Sequence, residues 1–294
     1  MTTTGSALHT SHGGNPVSRF AGDHPGIVKL AKAGWAAKGV VYFIAGVLAL
    51  LIAARASGWA DETAAGGQEE ASPAGAIKTI AESGGGTVLV LILAIGMFLY
   101  ALWRIVTAFL PSGNNDAETW AKRIGYLLSA VLYGSLGLTA VRLAQSEPSS
   151  QNGNGQVSDL TARVMENPAG RWLIGIVGVV VIGVGLYRAR KGFEQDVNDE
   201  LDMSAMSPER ARWTRRLGAV GEIGRGIAMG LIGFFLVRAA MEYSADEATG
   251  VDGALRRMAE ETWGVVVVAL VGAGFVAYGL FCLSTFTRRR LEAA

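Results

Sequence analysis

The sequence predicts an all-α, polytopic membrane protein with six transmembrane helices arranged as three parallel two-helix hairpin repeats. Two observations carry this prediction. Half of the residues are hydrophobic and only 17% are charged, whereas a typical soluble protein has about 25% charged residues. In addition, one glycine-marked pattern occurs three times, at 34–46, 125–137 and 221–233, and each copy opens a long apolar segment.

Six apolar segments have the length that a membrane-spanning helix needs. A helix rises about 1.5 Å per residue, so about 20 residues cross a hydrocarbon core of about 30 Å. Membrane β-strands are disfavoured because they require alternating polar and apolar residues in segments of about ten. The predicted helices cover residues 31–56, 86–109, 122–144, 169–191, 216–240 and 262–286.

Each repeat is predicted to contain an outward helix, a loop ending in a short amphipathic segment, and a returning helix. The amphipathic segments are 75–82, 159–166 and 253–260. Two crossings return the chain to its starting side, so the repeats share one orientation, and their simplest packing is around a pseudo-threefold axis. The predicted organisation is a disordered cytoplasmic tail (1–28), repeat 1 (29–111), repeat 2 (119–193), a cytoplasmic linker (194–209) and repeat 3 (210–288).

Recurring glycines predict where the helices touch. Helices in lipid associate by close packing of small residues, so glycines repeated on one helix face indicate a helix–helix contact; the alternative is that they line a pore. On the outward helices these residues are Gly46, Gly137, Gly226, Gly230 and Gly233. On the returning helices Gly96, Gly183 and Gly274 are each followed four residues later by a tyrosine.

Charged residues inside the apolar segments suggest a polar site. The fifth helix is uncharged only over residues 226–237, about 18 Å of helix, so it must draw Glu222 and Arg225 into the membrane. Lys38 and Ser129 occupy the position of Arg225 in the other repeats. Intramembrane ionisable residues indicate function by default, which predicts a polar vestibule of Lys38, Ser129, Glu222 and Arg225. The alternative is that these side chains only extend to the membrane interface.

Basic residues predict orientation and lipid contacts. They concentrate in the N-terminal segment and in the loops after the second and fourth helices, so the positive-inside rule places both termini in the cytoplasm. A helix start at Ser207 and Pro208 is followed by several arginines, and a base near the helix border suits anionic headgroups, at about 1 kcal/mol each. The alternative is that they only set topology. The candidate lipid-headgroup contacts are Arg104, Lys191, Arg210, Arg212, Arg215 and Arg216.

The threefold glycine pattern, the amphipathic segments and the Gly-x-x-x-Tyr-x-x-x-Arg stripe together resemble a known family. It is the bacterial membrane family called domain of unknown function 1206, which has three tandem two-helix repeats. The resemblance covers residues 28–288, departs from the repeat at Ser129, Met229 and Cys282, and implies a multi-pass protein of the bacterial inner membrane. It implies no activity.

Motifs for catalysis or metal binding are absent from the sequence. There is no zinc-protease motif, no cysteine pair and no nucleophile elbow, so neither catalytic residues nor a metal or cofactor is predicted. The net charge of +1 implies no attraction to nucleic acid. The leading hypothesis is a non-enzymatic scaffold or accessory subunit of the lipid bilayer that binds lipid, with anionic lipids as candidates, or a membrane protein partner, or both. The alternative is a small-solute or ion channel or transporter with a polar vestibule at the repeat axis.

Overall fold

A computed structural model describes residues 25–60, 70–109, 117–145, 153–167, 169–194 and 206–286. Within these ranges the chain forms nine α-helices and one short 3-10 turn, without a strand. The helices are α1 (Pro25–Ala56), α2 (Pro73–Ala81), α3 (Gly86–Phe109), α4 (Ala117–Ala144), α5 (Gly153–Met165), α6 (Gly170–Phe193), α7 (Pro208–Glu242), α8 (Val251–Ala259) and α9 (Gly264–Thr285).

Six of these helices, α1, α3, α4, α6, α7 and α9, are long and apolar enough to cross a membrane. This confirms the predicted number of transmembrane helices and identifies a multi-pass membrane protein. The short helices α2, α5 and α8 overlap the predicted amphipathic segments, although α5 begins at Gly153, six residues before its predicted segment. Along the chain, each of them connects the two long helices of one repeat.

Three long helices begin before the predicted membrane spans: α1 at Pro25, α4 at Ala117 and α7 at Pro208. For α7 the helix start at Ser207 and Pro208 was itself predicted, and the structure confirms it. Helix α1 starts at Pro25, so residues 25–28 are helical rather than part of the predicted tail, whose residues 1–24 lie outside the described residues. Helix α7 starts at Pro208, where the Ser207 hydroxyl accepts a hydrogen bond from the Arg210 backbone N–H at 3.4 Å. Proline suits the first turn because its fixed φ is helical and it lacks an N–H that would go unsatisfied there. With 35 residues, α7 is about 52 Å long and extends beyond the hydrocarbon core.

The long helices pack in the order α4, α3, α1, α9, α7 and α6. Three of these interfaces join different repeats (α4–α3, α1–α9 and α7–α6), and two join the halves of one repeat (α3–α1 and α9–α7). Among the described residues, α4 and α6 form no such interface, although they are the two halves of repeat 2. The pseudo-threefold axis stays a prediction.

The position of a helix in this order decides how much of it is covered. In the central helices α1 and α9, 56% of the most apolar stretch of 18 residues is buried, whereas only 17% of the corresponding stretch is buried in α4 and α6. The core accordingly lies between α1, α3 and α9, where Val41, Met97, Val271 and Phe275 are almost fully buried. On the side of the membrane away from the start of α1, Asp252 of α8 accepts a hydrogen bond from the Ala71 backbone N–H at 2.7 Å, which joins repeat 3 to repeat 1.

Candidate functional site

Four charged side chains lie inside the helix bundle, near the side of the membrane at which α1 begins. They are Lys38 of α1, Arg188 of α6, and Glu222 and Arg225 of α7, and they are called here the interior charge cluster. Lys38 and Arg225 share two rings. The centroid of Tyr278 lies 5.3 Å from the Lys38 Nζ and 4.1 Å from the Arg225 Cζ, and that of Tyr42 lies 6.0 Å and 5.4 Å from the same atoms. Helices of all three repeats therefore contribute charge to one region.

An aromatic cage surrounds the ammonium group of Lys38. This residue is only 4% exposed, and its Nζ lies 3.5 Å from the Tyr100 hydroxyl. Five ring centroids lie near the Nζ: Trp35 at 4.7 Å, Tyr42 at 6.0 Å, Tyr100 at 5.2 Å, Tyr133 at 5.2 Å and Tyr278 at 5.3 Å. A desolvated cation–π contact contributes up to about 2 kcal/mol, so the rings partly replace the water that Lys38 loses. Among the described residues, no carboxylate forms an ion pair with Lys38.

Glu222 is the carboxylate of the cluster and binds two arginines. Its Oε1 accepts from the Arg225 Nη1 at 2.8 Å, and its Oε2 accepts from the Arg188 Nη1 at 2.9 Å. The side chains of Glu222 and Arg225 are 13% and 12% exposed, and that of Arg188 is 32% exposed. The Nε of Arg188 is buried and has no hydrogen-bond partner among the described residues. Glu222 thus pairs with two arginines and not with Lys38. The cluster holds three cationic side chains and one carboxylate, a formal charge of +2.

The hydroxyl of Tyr100 connects Lys38 to a fourth cation. Arg104 donates to it from its Nε at 3.0 Å and from its Nη2 at 2.8 Å. The Arg104 Cζ also lies 5.1 Å from the ring centroid of Tyr126. Arg104 was predicted as a headgroup contact, and the structure places its guanidinium against tyrosines of α3 and α4.

Of the four predicted vestibule residues, the structure brings Lys38, Glu222 and Arg225 together. Ser129 is half-buried on α4, and its hydroxyl donates to the Gly125 carbonyl of its own helix at 2.8 Å. Helical serines commonly make this bond to the preceding turn, so sharing a repeat position with Lys38 did not bring Ser129 into polar contact with the cluster. Whether the cluster forms a vestibule stays a prediction.

Sequence reasoning missed the part that Arg188 plays in the cluster and the five rings around Lys38. The registered repeats contain a signal for Arg188, since the equivalent positions of repeats 1 and 3 are Ala101 and Gly279. A base that replaces two small residues in an otherwise apolar helix marks a position with a different environment. The repeat also marks four of the rings, since Tyr100 and Tyr278 follow equivalent glycines and Tyr42 and Tyr133 occupy equivalent positions. It does not indicate that they meet around Lys38, because that requires contacts between different helices.

Most of the predicted packing glycines lie at close helix contacts. A Cβ built on them would come within 2.5–3.1 Å of a neighbouring helix, with the nearest atom belonging to Val276 for Gly46, Ala37 for Gly96, Phe98 for Gly137, Gly185 for Gly226, Gly178 for Gly233 and Gly224 for Gly274. The structure differs from the prediction at Gly183 and Gly230, where a Cβ would have no described neighbour within 4 Å.

The predicted headgroup residues of α7 lie on its first turns. Arg210, Arg212 and Arg216 are exposed and Arg215 is half-buried, and the Arg216 Cζ lies 5.6 Å from the ring centroid of Trp213. An exposed tryptophan beside arginines is typical of the membrane interface. Lys191, near the end of α6, is half-buried.

The family comparison agrees with the three-repeat architecture. The model of the family named Domain of Unknown Function (DUF1206) matches residues 33–110, 124–194 and 220–285. The chain belongs to this family. The three matched segments contain the helix pairs α1–α3, α4–α6 and α7–α9, which confirms the resemblance found in the sequence.

One relative covers nearly the whole chain. The chain is 29% identical to the uncharacterized protein YxxB of Bacillus subtilis (strain 168) over 263 residues, which are 88% of this chain and 90% of the relative. No solved structure matches the chain.

Within the described residues no group of three or more His, Cys, Asp and Glu side chains could hold a metal ion. The histidines His9, His12 and His24 lie outside those residues.

Proposed function

We propose that this protein is a non-enzymatic integral membrane protein that binds an oxyanion, a phosphate or carboxylate group, at the interior charge cluster. The observation that carries this proposal is the unbalanced charge of Lys38, Arg188 and Arg225 against Glu222 alone. Buried charges are costly unless they are paired. A bound anion would bring the second negative charge and additional hydrogen-bond acceptors to these donors.

The basic start of α7 supports the same proposal. Its exposed arginines, together with Trp213, would attract anionic lipids to the side of the membrane on which the cluster lies. The positive-inside rule supports an orientation with that side in the cytoplasm of a bacterial inner membrane. Anionic ligands would then be enriched near the cluster.

A channel or transporter is the second candidate. It is favoured by the meeting of Lys38 and Arg225, which come from repeats 1 and 3 and share Tyr42 and Tyr278. Ser129, the third polar residue at this repeat position, bonds to its own helix instead. Phosphate efflux from proteoliposomes that depends on Lys38 would favour this candidate over binding alone.

Thermal unfolding in an uncharged detergent tests anion binding. Inorganic phosphate, exchanged for chloride at constant ionic strength, is expected to raise the unfolding temperature by about 5 °C near saturation. In Lys38→Met the rise is expected to disappear while the protein still folds, because methionine fills the aromatic cage without a charge. Lys78→Met is the control, since the Lys78 side chain is 53% exposed on α2 and is not part of the interior charge cluster. Phosphate should raise its unfolding temperature as it does in the wild type.

A wild-type protein whose unfolding temperature is unchanged by phosphate would contradict the proposal. An equal rise in wild type and Lys38→Met would also contradict it, because the anion would then bind elsewhere.

A further inference from the structure

The sides of α4 and α6 that correspond to the hairpin contact of the other repeats have no described neighbour, whereas the equivalent sides in repeats 1 and 3 are in contact. In repeat 1 a Cβ on Gly34 would lie 2.8 Å from the Tyr100 Cβ, and in repeat 3 a Cβ on Gly221 would lie 2.8 Å from the Tyr278 Cα. The same position in repeat 2 is Gly125, where a Cβ would have no described neighbour within 4 Å. We call these sides of α4 and α6, at Gly125, Leu128, Gly183 and Tyr187, the repeat-2 seam.

Exposure of the three stripe tyrosines shows the same difference. Tyr100 and Tyr278 are 4% and 3% exposed, whereas Tyr187 of the seam is 66% exposed. Since all three follow a glycine by four residues, their helices present equivalent side chains. Tyr187 is therefore exposed because, among the described residues, α4 does not pack on it as the outward helices of repeats 1 and 3 pack on Tyr100 and Tyr278.

Leu128 gives a physical reason why the seam is open. Its equivalents are Ala37 and Gly224, small residues that let the opposite helix approach closely: a Cβ on Gly274 would lie 2.5 Å from the Gly224 Cα. A leucine at this crossing separates the helix backbones. Leu128 is 61% exposed, so an apolar side chain lines the opening.

A cation lies at the inner edge of the seam. Arg188 follows Tyr187 directly, and its guanidinium reaches Glu222 of the interior charge cluster. Its buried Nε has no hydrogen-bond partner among the described residues. Arg188 precedes the end of α6 at Phe193 by five residues, about 8 Å along the helix, which is close to the level of lipid headgroups.

We propose that the repeat-2 seam binds one anionic membrane lipid, with its phosphate at Arg188 and its acyl chains between α4 and α6. This inference rests on the proposed function and specifies its ligand and the route by which the ligand enters. A phosphate matches the excess positive charge, because arginine and phosphate form strong charge-assisted hydrogen bonds. The chains match the exposed apolar surface of the seam, which lies on two membrane-spanning helices and includes Leu128.

The bulky side chains of the seam favour a lipid over a transmembrane helix of a partner. Close helix contacts in membranes are enriched in small residues, whereas the bulky side chains of Leu128 and Tyr187 are both exposed on this surface. Flexible acyl chains adapt to such a surface. A second copy of this chain is an outcome that the experiment below separates.

Native mass spectrometry of the protein in an uncharged detergent tests the inference. With equal amounts of added phosphatidylglycerol and phosphatidylcholine, wild type is expected to retain one phosphatidylglycerol at least about tenfold more than phosphatidylcholine. Arg188→Gln should lose this preference by about tenfold. The matched control is Arg190→Gln, since the Arg190 side chain is 76% exposed and paired with Glu194, and it should behave as wild type.

A variant that fills the seam separates this inference from the proposed function. Gly183→Trp is expected to fold, because nothing described lies within 4 Å of a Cβ there, and to lose the bound lipid while keeping the phosphate-dependent rise in unfolding temperature. Lipid retention by Gly183→Trp, equal retention of the two lipids by wild type, or a retained second copy of the chain would overturn the inference. If phosphate still raises the unfolding temperature of the wild type, such a result contradicts only the lipid inference and the proposed function stands. If phosphate has no effect, both the inference and the proposed function are contradicted.

Discussion

Repeats 1 and 3 are closed hairpins and repeat 2 is open, although the three carry glycine and tyrosine at equivalent positions. The helix contacts between different repeats nevertheless follow one pattern. Gly46 packs on α9, Gly137 on α3 and Gly233 on α6, so each outward helix contacts the returning helix of the preceding repeat, taken cyclically. The comparison teaches that the contacts between repeats hold the bundle together, while closure within a repeat varies with individual side chains.

The open repeat also differs from its neighbours in charge. Repeat 2 places Arg188 where repeats 1 and 3 have Ala101 and Gly279. Gly279 lies against α1, where a Cβ would come within 2.6 Å of the Phe43 backbone nitrogen. The same repeat position is thus a helix-packing glycine, Gly279, in repeat 3 and a charged residue, Arg188, in repeat 2. Arg188 forms an ion pair with Glu222 of repeat 3.

The largest expected effect comes from removing this carboxylate. Glu222→Gln leaves Lys38, Arg188 and Arg225 without a negative partner, and breaking a buried ion pair costs about 3–5 kcal/mol of unfolding free energy. Thermal or denaturant unfolding in detergent measures the loss. Glu242→Gln is the control, because Glu242 pairs with Arg238 and both side chains are 46% exposed. This variant should lose less than about 1 kcal/mol of unfolding free energy. Equal losses would mean that the cluster is hydrated and does not hold α6 to α7.

A smaller effect separates the closed from the open hairpin directly. Gly224→Ala in repeat 3 places a Cβ 2.6 Å from the Gly274 Cα, and such overpacking costs about 1–3 kcal/mol. Gly125→Ala in repeat 2 meets no described atom within 4 Å and should be neutral, or stabilising by up to about 1 kcal/mol because alanine favours the helix. The same unfolding measurement compares both variants. A destabilised Gly125→Ala would indicate that α4 and α6 close in solution.

The smallest expected effect concerns the stripe tyrosines. Tyr100→Phe removes the hydroxyl that accepts hydrogen bonds from Arg104 and Lys38, which should cost about 1 kcal/mol. Tyr187→Phe should cost nothing measurable, since Tyr187 is 66% exposed. Unfolding temperatures of the two variants sharpen the comparison, and equal shifts would count against an open seam.

The long helices could be predicted because their signal is local. A membrane-spanning helix satisfies every backbone group within its own segment, so length and apolarity suffice to locate α3 at residues 86–109. The start of α7 at Pro208 likewise follows from a serine cap and a proline. The interior charge cluster was predicted only in part: Lys38, Glu222 and Arg225 stand out in apolar segments, whereas contact between Arg188 and Glu222 joins two helices that no local pattern relates.

The sequence by itself determined the number of membrane-spanning helices, their approximate places along the chain and which residues recur in each repeat. Only the tertiary structure decided which of the recurring faces are covered. The physical reason is that helix contact in a membrane depends on the combined size of two side chains on different helices. Gly183 has the same small size as Gly96 and Gly274, but it belongs to the repeat in which Leu128 replaces a small residue, and it alone among these three remains uncovered by the described residues.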